Sequence, residues 1–147
     1  MNEQSIPQVA CIDSGGILRC RTGSKILNTL GISALPYAAR DTSKQTYQGE
    51  VPPHIAGVFR KLLGTDVVGE PILRIPENIA TRVPYLLVYC GLDELPPYIR
   101  KDDPRISFKY VPDVIAIGDL EDYRRAMEAV SLATIEFVVE NFPNFFN

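Results

Sequence analysis

Residues 13–20 read Asp13-Ser14-Gly15-Gly16-Ile17-Leu18-Arg19-Cys20. A carboxylate, two glycines and an arginine at this spacing are the parts of an anion site. The glycines let successive backbone N–H groups converge on one point. A helix starting just after them would turn its positive end toward the same point. Arg19 adds a planar guanidinium fork suited to phosphate. Asp13 then reads either as the internal partner of Arg19 or as a nucleophile in its own right. A second carboxylate, Asp113, follows Val111-Pro112. An aspartate in such a place can hand a proton to a leaving group or cap a turn.

The remaining chemistry-bearing residues are few. Cys11, Cys20 and Cys90 are an odd, widely spaced set, with neither a disulfide framework nor a zinc spacing. They point to a reducing, cytoplasmic setting. Cys20 at a helix start invites a lowered thiol pKa, although a small buried residue needs no function. A Cys11–Cys20 redox pair is the sharper alternative. His54 is the single histidine and rules out any site that needs two. It follows Pro52-Pro53 and reads as solvent-facing. No metal site and no cofactor are expected.

These residues need a scaffold. The chain has 147 residues, of which 46% are apolar and 22% charged, with a net charge of −3. That is one ordinary globular domain with a core of its own, residues 1–147, with tails at 1–7 and 143–147. The slight acidity argues against a nucleic-acid binder that neutralises phosphates. No run is long and apolar enough to span a membrane, and the first seven residues lack the pattern of a signal peptide.

Residues 9–12 read as a buried strand, 22–30 as a helix ended by Gly31, and 32–39 as a weaker strand interrupted by Pro36. Residues 40–50 read as a loop. Residues 53–63 form a helix with proline in its first turn and Gly64 past its end. Residues 65–75 are a connection and 76–81 one short helix. The apolar run at 85–90 reads as a strand covered on both faces. Residues 92–100 are a short helix or turn, and 106–111 a last strand. A long helix covers 119–142, with Leu120, Tyr123, Met127, Val130, Thr134 and Phe137 as its buried stripe. Asp119 and Asp122 cap its start, and Glu121–Arg125 is a surface pair. Alternating strands and helices make this α/β with a parallel sheet. Functional loops then lie at the carboxyl ends of the strands, where the loop after residue 13 belongs.

On these residues the chain resembles the low-molecular-weight protein tyrosine phosphatases. Their loop opens with a nucleophilic cysteine, followed by five residues, an arginine and a serine, at the start of the first long helix. Residues 13–20 fall on that pattern, with Arg19 in the place of the phosphate-binding arginine. Val111-Pro112-Asp113, followed by Gly118-Asp119-Leu120-Glu121-Asp122-Tyr123-Arg124, looks like the family's acid loop. Asp113 takes the place of the proton donor. The resemblance implies a three-layer sandwich around a four-stranded parallel sheet. It also implies an anion-binding loop made of Ser14, Gly15, Gly16, Ile17, Leu18, Arg19 and Cys20.

The departures decide the function. Asp13 stands where the resemblance wants a cysteine, Gly16 where it wants an asparagine, Cys20 where it wants a serine, and Val114 where it wants a proline. A thiolate attacks phosphorus well once such a loop lowers its pKa. A carboxylate without a metal attacks poorly and repels the substrate. The expectation is a catalytically impaired relative with a binding or regulatory role, holding a small anion or a phosphorylated ligand. The aromatics Phe142, Phe145 and Phe146 either pack back on the sheet, the favoured reading, or form a patch where a protein partner or a second copy would meet the chain. Tyr85, Tyr89, Tyr98 and Tyr110 could line a binding wall. The competing reading is a metal-dependent phosphohydrolase of the haloacid-dehalogenase type. It would use Asp13 as nucleophile and Ile115-Ala116-Ile117-Gly118-Asp119 as its late acidic motif.

Overall fold

The computed structural model describes residues 6–41, 49–114 and 119–145. Four strands, β1 (Val9–Asp13), β2 (Ala34–Ala38), β3 (Tyr85–Val88) and β4 (Ile106–Phe108), form one parallel sheet in the order β2-β1-β3-β4. Helices α1 (Arg19–Thr29), α2 (Pro53–Leu63), α3 (Glu77–Ala80) and α4 (Leu120–Asn141) complete the described secondary structure, with a 3-10 turn over Leu92–Glu94.

Successive residues of a strand face opposite sides of its sheet, and β1 shows the consequence. Val9 and Cys11 join Leu27, Val130, Phe137 and Val138 in a cluster beneath α1 and α4. Ala10 and Ile12 join Ile75, Ile79, Val83 and Val88 on the other side, beneath α3 and the connection leading to it. The result is the expected three-layer α/β sandwich. A third cluster ties α2 (Ile55, Phe59) to Leu18 of the loop and to Tyr123 and Met127 of α4.

Pro36 does not end β2, because β2 lies at the sheet edge, where a missing N–H leaves no ladder bond unmade. β3 and β4 stop at Val88 and Phe108, earlier than their apolar runs suggest. Beyond those ends the Lys109 N–H still donates to the Val88 carbonyl and the Val111 N–H to the Tyr89 carbonyl, so the two segments run on side by side. α1 starts at Arg19 rather than at residue 22. Its first turn carries buried polar residues and no side-chain cap, so apolar periodicity reveals only its later part. Leu120, expected in the buried stripe of α4, is exposed, because the first turn of α4 has not yet reached the core. The other members of that stripe are buried. Asp119 and Asp122 form a reciprocal capping box.

Near the carboxyl end of α4, Phe142 packs back on Tyr85 and Phe137, with ring centres 5.2 and 6.0 Å away. Phe145 is 40% exposed. Phe146, the tail at 1–5, most of the 40–50 loop and residues 115–118 lie outside the described residues.

Candidate functional site

Asp13 is the last residue of β1, and α1 begins six residues later at Arg19. The loop between them curls over the Asp13 carboxylate. Asp13 Oδ1 accepts from the Gly16 N–H, and Oδ2 accepts from the Cys20 N–H at 3.0 Å. The residue is 2% exposed. Gly16 makes the curl possible. Its φ is +75°, and a Cβ there would stand 2.9 Å from the Ala38 Cβ and 3.0 Å from the Ala38 nitrogen. Glycine at this position is therefore a steric demand of this loop and of the β2 end beside it.

Arg19 is buried beneath the same loop. Its Nη1 donates to the carbonyl oxygens of Val111 at 2.8 Å and Tyr89 at 3.3 Å, and its Nη2 donates to Ser14 Oγ at 3.1 Å. Asp113 Oδ2 approaches Nη2 to 3.7 Å, and Asp13 Oδ2 lies 3.9 Å from Nε. Nε itself makes no hydrogen bond among the described residues. Asp13 and Arg19 are thus an ion pair at the edge of contact. The hydrogen bonds that fix Asp13 come from the backbone.

Burial raises the Asp13 carboxyl above the usual carboxylate range. Asp113 adds to this, and together they outweigh Arg19 and the two N–H donors. Burial likewise drives the Cys20 thiol well above its ordinary value, and the neighbouring Asp13 charge adds to the effect. That corrects the expectation of a lowered pKa at the helix start: no solvent reaches this thiol, and the charge that acts on it most, that of Asp13, is negative. Cys11 is raised for the same leading reason. All three cysteines are free and buried.

Asp13, Ile17 and Arg19 line a cleft of about 160 Å³, faced by Ile55 of α2, Tyr123 of α4 and Asp113. His54, exposed as expected, stands at its rim. A polar groove adjoins it on the other side, with Ser14, Arg40, Asp93, Glu94 and Tyr110 along its walls. Arg40 and Glu94 are paired across it. Of the four tyrosines considered as a binding wall, only Tyr110 reaches these surfaces. Tyr89 is buried, its hydroxyl 2.6 Å from Thr134 Oγ1, Tyr98 donates to the Ile75 carbonyl, and Tyr85 packs among phenylalanines. Tyr123 is the tyrosine that lines the cleft. Its helical stripe had marked it as core, and it serves both purposes.

Arg21 is the residue that sequence reasoning overlooked. It is 1% exposed. Its Nε donates to the Ile17 carbonyl at 3.2 Å, and its Nη2 to the carbonyls of Gly16 at 3.0 Å and Pro71 at 3.1 Å. Its Nη1 meets Glu70 Oε1 at 2.7 Å, and Lys25 Nζ meets Glu70 Oε2 at 2.7 Å. Holding the loop carbonyls outward in this way steers the neighbouring N–H groups inward. Two arginines flanking Cys20 were the only local signal. Glu70 lies 49 residues away.

The haloacid-dehalogenase reading is not favoured. Asp119 and Asp122 spend their carboxylates on capping each other's N–H groups at 3.0 Å. Residues 115–118 of its late motif lie outside the described residues.

No protein-family model matches the chain, and no curated protein matches it in sequence. Solved structures do match in fold. Vibrio vulnificus Wzb in complex with benzylphosphonate superposes with a TM-score of 0.74 at 14% identity, covering 92% of this chain and 99% of that one. The tyrosine phosphatase Wzb from Escherichia coli, in complex with sulphate, gives 0.70 at 16% identity, covering 92% and 99%. The Erwinia amylovora tyrosine phosphatase AmsI gives 0.70 at 11% identity, covering 94% and 95%. The chain has the fold of the low-molecular-weight protein tyrosine phosphatases.

Proposed function

We propose that this chain is a non-hydrolytic binding protein on the low-molecular-weight phosphatase fold, and that residues 13–20 hold a small oxyanion or a phosphorylated ligand in a binding or regulatory role. The observation that carries the proposal is the Asp13 carboxylate. It is buried at the end of β1 and fixed by the N–H groups of Gly16 and Cys20. A nucleophile for phosphorus would have to stand there, and a carboxylate brings a like charge instead. At about 4 Å and an effective dielectric near 20, each such charge costs roughly 4 kcal/mol against an incoming phosphate. No cysteine substitutes, because Cys11 and Cys20 are both held as neutral thiols by burial. Asp113 keeps its place beside Arg19 but has no leaving group to protonate, so its part is electrostatic.

What favours anion binding is the pairing of a curled loop with Arg19, whose Nε is buried and free of hydrogen bonds among the described residues. The sulphate and benzylphosphonate held by the two Wzb proteins support the same ligand class. The test is hydrolysis of p-nitrophenyl phosphate, with and without magnesium, by wild type and Asp13→Ala. Both proteins should stay at background in both conditions. Metal-free turnover, or magnesium-dependent turnover lost in Asp13→Ala, would overturn the proposal.

A further inference from the structure

We infer that an oxyanion enters this loop only together with a proton, which Asp13 takes up. The inference rests on the oxyanion-binding reading above and adds what governs that binding.

The geometry leads there. The Asp13 carboxylate sits inside the loop and places one oxygen on the Gly16 N–H and the other on the Cys20 N–H. Arg19 has committed both terminal nitrogens to Val111, Tyr89 and Ser14. Only Nε of its three nitrogens makes no hydrogen bond among the described residues, and it lies 3.9 Å from Asp13 Oδ2. An oxyanion reaching Nε from the cleft therefore meets the Asp13 carboxylate at contact range.

The charges around that point do not offset the repulsion. Arg19 comes from α1, and Asp113 comes from the segment after β4. Glu94, beyond β3, is already paired with Arg40. The thiols of Cys11 on β1, Cys20 on α1 and Cys90 after β3 are all raised, first by burial, and stay neutral. His54 of α2 lines the same cleft. One guanidinium thus faces two carboxylates before any ligand arrives. Protonating Asp13 removes the negative charge nearest to Nε and leaves Arg19 balanced by Asp113 alone, so an anion at Nε no longer meets a carboxylate there. The raised Asp13 carboxyl makes that proton accessible.

The experiment is calorimetric titration of the full chain with sodium sulfate from pH 5 to 8, at constant ionic strength, in buffers of two different ionisation enthalpies. Sulfate does not titrate in this range, so any proton taken up goes to the protein. Wild type should take up one proton per sulfate above the Asp13 titration, with affinity falling about tenfold per pH unit. His54→Gln, whatever its affinity, should keep that proton, and Asp13→Asn should bind sulfate without one. Binding without proton uptake, uptake that persists in Asp13→Asn, or uptake lost in His54→Gln overturns this inference and leaves the anion-binding reading standing. The His54→Gln arm serves alone if Asp13→Asn does not fold. Absence of binding by wild type at pH 5, and by Asp13→Asn throughout, overturns the anion-binding reading itself.

Discussion

Asp13 combines two features that pull its titration in opposite directions: nearly complete burial and hydrogen bonds from two backbone donors. Burial prevails, so the carboxyl is raised in the folded chain. Such a group binds more protons folded than unfolded. Its stabilisation is therefore full below the unfolded carboxylate range and is lost as pH rises through the folded value. Asp13→Asn removes that dependence. Denaturant unfolding at several pH values should show the variant gaining on wild type between pH 4 and 8, by about 1.4 kcal/mol for each pKa unit of the original shift. A constant difference across that range would show that Asp13 is not raised.

At the scale of elements, the loop is shaped by what lies under and behind it. Arg21 ties the carbonyls of Gly16, Ile17 and Pro71 to the Glu70 carboxylate. Burial alone would raise Glu70, but the hydrogen bonds from Lys25 and Arg21 outweigh it and hold the carboxyl below its ordinary value. Arg21→Met leaves the carbonyls of Gly16, Ile17 and Pro71 without this donor, so unfolding experiments should show a loss of about 1–3 kcal/mol. Lys25→Ala touches only the half-buried side of Glu70 and should cost less than about 1 kcal/mol. Equal effects from the two would mean that Arg21 does not organise the loop. Glu70 links α1 to the connection beyond α2, so the loop's shape depends on a segment far from it in sequence.

For the whole molecule, the sequence was most legible where pattern repeats. Apolar runs located β1 and β3, the Pro53 start and Gly64 end bounded α2, and the three-and-four spacing of α4 found its buried face. The order of these elements implied the sandwich. The arrangement around Asp13 was less legible. The expectation that Arg19 locks Asp13 is met only at 3.9 Å, because loop N–H groups, which sequence does not aim, hold the carboxylate. Arg21 and Glu70 escaped notice because burial of a charged pair depends on tertiary contacts between distant segments. Gly16 stands in sequence only as a departure, a glycine where the resemblance wants an asparagine. In the structure it is where Ala38 leaves no room for a side chain.

On the proposed function, a phosphatase-like cradle persists around a carboxylate that cannot attack. The decisive measurement is metal-free hydrolysis of p-nitrophenyl phosphate by Asp13→Cys combined with Cys20→Ser, beside wild type. The double variant is expected to gain turnover while wild type stays at background. Turnover by wild type that equals or exceeds that of the double variant would contradict the claim.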